Sequence, residues 1–146
     1  MFVRFVFGVG ILAGLLAPVV AEETPATGLA SITVPAGFTV ESAITPGLSS
    51  YPMFLELDEG GNLYTAESTG ADGKAKDHIE HPTYMILRLS DSDNDGIYDT
   101  KTVFADALSF PMGVLCHQGS VYVASPPDFI RLKDTTGDGV ADEREV

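Results

Sequence analysis

Hydrophobic and polar residues alternate in short runs along most of this chain, and no stretch holds a helical period across three turns. "ITVPAGFTVESAI" (32–44) alternates around Pro35 and Gly37, which suits an edge strand or two short strands with a turn. "YPMFLELDEGGNLYTAES" reads as a hairpin: an apolar run, a turn over residues 58–62, and a second run. "PTYMILRLSDSDNDGIYDTKTVFAD" is a second strand pair, joined by an acidic loop, and "FPMGVLCHQGSVYVASPPDFIRLKD" repeats the theme. The pattern predicts an all-β chain of antiparallel hairpins.

The runs also repeat. "MILRLSDSDNDGIYDTKTV" aligns with "FIRLKDTTGDGVADEREV" at a shift of 43 residues, which superimposes Arg88 on Arg131, Asp91 on Asp134, Asp95 on Asp138, Gly96 on Gly139 and Asp99 on Asp142. "PMFLELDEGGNLYTAES" aligns with "PMGVLCHQGSVYVAS": Pro52-Met53 falls on Pro111-Met112 at a shift of 59, and Tyr64 on Tyr122 at 58. The shifts differ because the first unit carries extra residues between Glu67 and Pro82. Each unit therefore reads as four antiparallel strands, the blade of a β-propeller. The first blade is expected over about 52–105 and the second, partial one over about 110–146. Two blades do not close a ring. Val146 matches Val103 inside a fourth strand, so the expectation is a piece of a longer protein, with the remaining blades as its partner.

The N-terminus departs from this pattern. "MFVRFVFGVGILAGLLAPVVA" has one early charge, Arg4, then an apolar stretch, then Val19 and Ala21 at the small-residue positions of a cleavage site. This predicts a secretory signal peptide over 1–21, a linker over 22–31, and a secreted or periplasmic product with no membrane insertion after cleavage. The rival reading is an uncleaved membrane anchor, for which the apolar run is short against a span of ~20 residues. The rest is strongly acidic. The chain carries 21 Asp and Glu against 8 Lys and Arg, and losing Arg4 takes the net charge from −13 to −14. That excludes sequence-independent nucleic-acid binding, which needs cations to displace counterions, and suits divalent metal.

The acidic loops give the metal its place. In "DSDNDGIYD" the carboxylates of Asp91, Asp93, Asp95 and Asp99 stand at loop positions 1, 3, 5 and 9, with Gly96 at 6 and Ile97 at 7. A tight calcium loop supplies oxygens in that register, with the carbonyl of residue 7 as one more. The second loop offers Asp134, Thr136, Asp138, Val140 and Asp142, with Glu145 at position 12. Position 3 has become a hydroxyl. Position 12 of the first loop is Thr102, and the flanks read as strands, so neither is the loop of a helix–loop–helix site. The expected cofactor is Ca²⁺ in a structural role. The competing reading is a solvated acidic turn, since Asp, Asn and Gly favour turns by themselves.

Other candidates for chemistry are weaker. Glu67 ends a strand, and His78 and His81 follow in the insert "ESTGADGKAKDHIEHPTY". They suit a base or a ligand at a channel mouth. Gly73 and Pro82 argue against the helical turn that would bring the two histidines to one face, and a solvated loop explains the stretch as well. Lys74 and Lys76 can meet an anion but are commonly just solvated. Cys116 is predicted to be a buried free thiol, and His117 to face away from it, because strand neighbours point to opposite faces. Tyr64 and Tyr122 read as packing residues, and Arg88 and Arg131 each as the cation of a blade-to-blade ion pair.

The paired D-x-D-x-D-G-x-x-D loops, "VPAGFTVE", "MFLELDEGGNLYTAES" and "GSVYVASPPDFIRLKD" resemble the start of the membrane-bound dehydrogenase domain of planctomycetes. That domain groups with the sorbosone and soluble glucose dehydrogenase-like six-bladed propellers. The resemblance covers nearly all of the chain after residue 21. It implies a secreted propeller and, for the complete protein, oxidation of a sugar or alcohol substrate with pyrroloquinoline quinone (PQQ). The cofactor would sit over the channel on loops from several blades, most of them absent here. Two other functions compete: a non-enzymatic, calcium-stabilised propeller fragment that binds a partner or glycan, and a small adhesive calcium module with helical or irregular flanks.

Overall fold

The computed structural model describes residues 28–146. The expected signal peptide over 1–21 and the first part of the expected linker lie outside the described residues. The chain divides between Val40 and Glu41 into two units. In the first, a 3₁₀ turn at Gly28–Ser31 leads into irregular chain. The strands expected over 32–44 do not form there. Pro35 offers no N–H, its carbonyl closes a tight turn onto the Phe38 N–H, and Gly37 takes a positive φ of 94°.

The second unit is all-β apart from one short helix. Strands β1 (Pro52–Leu57), β2 (Leu63–Glu67), β3 (Tyr84–Ser90) and β4 (Thr100–Leu108) form an antiparallel meander in sequence order. β5 (Val114–His117), β6 (Ser120–Ser125), β7 (Asp128–Lys133) and β8 (Glu143–Glu145) form a second sheet of the same order. These are the two blades that the repeat predicts. The hairpin turn after β1 is held by Asp58, whose carboxylate accepts from the backbone of Gly60 and Asn62. The turn after β5 is the pair Gln118-Gly119, both at positive φ, as a two-residue hairpin requires.

The registers sort the side chains into equivalent faces. Tyr64 lies opposite Arg88 and Tyr122 opposite Arg131, so each blade has an A face bearing this pair. The other, B face carries Leu63, Thr65, Leu87 and Leu89 in the first blade and Val121, Val123, Ile130 and Leu132 in the second. The A face of blade one packs on the B face of blade two. Tyr64, Ala66, Ile86 and Phe104 meet Val121, Val123, Ile130 and Leu132 in one buried cluster. Phe104 sets its ring edge-on to Tyr64 at 5.0 Å between centroids. Cys116 is half-buried, not fully buried as expected, and packs against this cluster, while the register puts His117 on the other side of its strand, as expected.

Blade one has a cover of its own. Tyr98 of the first acidic loop bridges Ile44 in parallel, with hydrogen bonds to Ala43 and Thr45. The equivalent residue of the second loop, Ala141, donates to the Phe104 carbonyl of β4. The chain at 43–48 therefore takes, against blade one, the place that β4 takes against blade two.

The expected ion pair between blades is not made. Arg131 bonds within its own blade, to Glu143 at 3.3 Å and Glu145 at 3.0 Å, because β8 puts Glu145 directly opposite it. The strand neighbour of Arg88 is Thr102, which carries no charge. Arg88 instead reaches across the seam to Gly139 of the second loop, where an added Cβ would lie 2.9 Å from the guanidinium.

Candidate metal centre

The first acidic loop joins β3 to β4. Its conformation is set by its own carboxylates, which accept from backbone N–H groups two to five residues ahead, the local bonding that Asp favours in turns. Asp91 accepts from Asp95 and Gly96 at 3.2 and 2.9 Å, Asp93 from Asp95 at 3.3 Å, and Asp95 from Ile97 at 2.8 Å. Asn94 and Gly96 turn the chain at positive φ. The result gathers Asp91, Asp93 and Asp95, each with one carboxylate oxygen within 4.8 Å of the others. Among the described residues this is the group with metal-holding geometry. Each carboxylate oxygen that accepts one N–H keeps a lone pair, so the loop's bonding and a hard cation are compatible. Asp93 and Asp95 are exposed and Asp91 is half-buried. Three carboxylates this close repel one another unless a cation sits between them.

Asp99 stands apart from that group. It accepts from the Ser92 hydroxyl and N–H at 2.6 and 3.0 Å and from the Thr100 hydroxyl. These bonds, the Ser92 hydroxyl first, hold its carboxyl below the usual range. It closes the loop at its base.

The second loop, between β7 and β8, keeps the frame and loses the cluster. Asp142 accepts from Thr135 and Thr136, as Asp99 does from Ser92, and the Thr135 N–H chiefly holds it low. Asp138 accepts from Val140, as Asp95 does from Ile97. Asp134 takes N–H bonds from Thr136, Gly137 and Gly139 at 3.1, 2.6 and 2.7 Å. Burial pushes its pKa up, but the N–H groups of Gly139, Gly137 and Thr136 outweigh that and leave it low. The Thr136 hydroxyl turns to Asp134. Glu145 lies in β8 and gives its carboxylate to Arg131, which holds it low. Sequence spacing puts Glu145 at position 12; the strand register puts it on the guanidinium.

Two of the candidates at the insert, Glu67 and His78, are engaged in packing. Glu67 is buried, and its carboxylate accepts from the Ser49 hydroxyl and the Ser50 and Tyr51 N–H groups. Ser125, its counterpart in blade two, is buried likewise and accepts from the Ser109 N–H. Both residues fasten the chain that enters their blade. The recurrence of Leu-Ser before Pro-Met, at 48–53 and 108–112, is the sequence signal for this. The insert does form a helix, α1 (Ala75–Glu80), against expectation. Ala, Lys and Glu favour helix, Asp77 accepts from the Lys74 N–H in the first turn, and Lys76 pairs with Glu80. His78 lies edge-on to Tyr84 at 5.1 Å and beside Phe110 at 5.9 Å. His81 is exposed just past the helix end.

No curated protein and no solved structure matches the chain. One family model does, over residues 24–146, and that span takes in both blades and both acidic loops. The chain thus belongs to the family described as a domain of unknown function, DUF7133.

Proposed function

We propose that this chain is a calcium-stabilised blade pair, the framework part of a secreted or periplasmic dehydrogenase-like propeller. The observation that carries the reading is the meeting of Asp91, Asp93 and Asp95 on one strand-connecting loop. Calcium takes six to eight oxygens. The three carboxylates would supply some, the Ile97 carbonyl one by its position in the loop, and water the rest. The ion would pin β3 to β4 at the edge of the blade. Oxidation of a sugar or alcohol with PQQ belongs to this proposal only for a complete ring, on the strength of the sequence resemblance. The non-enzymatic alternative, a blade pair that binds a partner or a glycan, is favoured by one observation: Glu67 and His78 are both occupied in packing. Thermal melts with and without calcium test the framework reading. The melting temperature should rise with calcium, and Asp93→Ala should remove the rise. Quinone addition with a panel of aldoses and dye reduction separates the two readings, and little or no turnover is expected from this chain alone.

A further inference from the structure

The sequence holds three Asp-Gly steps, at 72–73, 95–96 and 138–139. At such a step the next main-chain nitrogen can reach the side-chain carboxyl, because glycine has no Cβ to hinder the approach. Two of the steps lie in the acidic loops and are tied down. The Gly96 N–H donates to Asp91 at 2.9 Å and the Gly139 N–H to Asp134 at 2.7 Å, while the Asp95 and Asp138 carboxylates accept from Ile97 and Val140. The third lies in the insert and is untied. Asp72 and Gly73 are exposed, and among the described residues no hydrogen bond is made to the Gly73 N–H or the Asp72 carboxylate. Packing nevertheless demands the glycine: a Cβ there would lie 2.8 Å from Nε2 of His78, the side chain that sets α1 against Tyr84 and Phe110. No residue of α1 is buried.

We propose that Asp72-Gly73 is a self-modification site, which converts to isoaspartate and thereby unseats α1, while the other two steps hold. The Gly73 nitrogen attacks Cγ of the protonated Asp72 carboxyl. An N–Cγ bond forms, the nitrogen gives up its proton, and a carboxyl oxygen leaves as water, closing a succinimide ring. Water then opens the ring. Attack at Cγ breaks the new bond and restores Asp72. Attack at the α-carbonyl carbon breaks the original peptide bond instead, and the main chain then runs through Cγ. Atoms balance with water as the sole co-reactant, lost on closure and regained on opening. Isoaspartate lengthens the backbone by a methylene ahead of Gly73, which moves that residue from under the His78 ring. The held steps resist because the nitrogen must shed the proton that Asp91 or Asp134 accepts, and both of those bonds are charge-assisted. Neither calcium nor the enzymatic reading enters.

Prolonged incubation of the folded chain at neutral pH, then labelling by an isoaspartyl methyltransferase with a radioactive methyl donor, tests it. Trypsin puts the three steps on separate peptides, ending at Lys74, Lys101 and Arg144. The Lys74 peptide should carry the label, and the other two at least about tenfold less, the factor that one charge-assisted hydrogen bond is worth. Incubation in denaturant should label all three alike. Asp72→Glu alters an exposed position and makes ring closure harder, so it should lose the Lys74-peptide label. Brief trypsin treatment of the folded, aged protein should cut after Lys76, within α1, several-fold faster than in Asp72→Glu aged alongside. Equal labelling of the three peptides in the folded chain, no label on the Lys74 peptide, or one cutting rate after Lys76 in both proteins overturns the proposal.

Discussion

Blade one and blade two are built on one repeat, and the two differ in what their acidic loops rest against. The loop of blade two lies on β4 and receives Arg88 at Gly139, and its Asp134 takes three of the protein's own N–H groups. The loop of blade one is bridged to the segment around Ile44 and brings three carboxylates together, two of them exposed. A single exchange underlies much of the contrast. Where blade one has Asp93, blade two has Thr136, whose hydroxyl turns back to Asp134. Both loops are held by their own carboxylates, and the first is the one proposed to take an ion.

The largest expected effects fall on the seam that gives the blades different neighbours. Phe104→Ala removes a fully buried ring from the inter-blade cluster and should cost about 3–5 kcal/mol. Phe129→Ala, on the open face of blade two, should change monomer stability by less than about 0.5 kcal/mol. Chemical denaturation measures both, and equal losses would mean that the faces are not distinct. Next come the fasteners. Glu67→Ala strands two backbone N–H groups and a hydroxyl and should cost about 2–3 kcal/mol, whereas Ser125→Ala loses one accepted bond and should cost about 1 kcal/mol. If instead Glu67→Ala left stability unchanged, the carboxylate would be free for chemistry.

A smaller effect separates the loops in acid. Asp134 and Asp142 in blade two, and Asp99 in blade one, have folded pKa values below their unfolded ones. The unfolded chain then binds more protons as pH falls below the ordinary carboxylate value of about 4, so this contribution is present above that pH and is lost through the folded values. Asp142→Asn should flatten the acid limb of a stability-versus-pH curve measured by chemical denaturation. Smallest is the thiol. Burial first, then Asp58, Glu56 and Glu59, pushes Cys116 up to about 12. Alkylation at pH 8 should run on the order of a hundredfold slower than in the denatured chain. His117→Ala should leave that rate unchanged, because the two side chains lie on opposite sides of β5.

Much of this architecture was legible in the sequence because it repeats. The shifts of 43 and 58 to 59 residues located both blades, both loops and the equivalence of Tyr64 with Tyr122, and period-two alternation located the faces. The illegible parts depend on tertiary partners. The segment at 32–44 alternates like a strand, yet strands need a neighbour to bond, and in this segment it is Ile44 that forms a bridge. Helix α1 is too short to show a period, and its capping by Asp77 outweighed the flanking Gly73 and Pro82. Glu145 has the spacing of a ligand but the register of a partner for Arg131. Spacing along a loop does not reveal which side chains the next strand will claim.

The most direct measurement is calcium calorimetry on the wild type, Asp93→Ala and Thr136→Asp. The account predicts one site in the wild type, with a dissociation constant on the order of 10⁻⁴ to 10⁻³ M. It predicts loss of that site in Asp93→Ala, and a second site in Thr136→Asp, which restores the missing carboxylate. No heat from the wild type, or undiminished binding in Asp93→Ala, would contradict it.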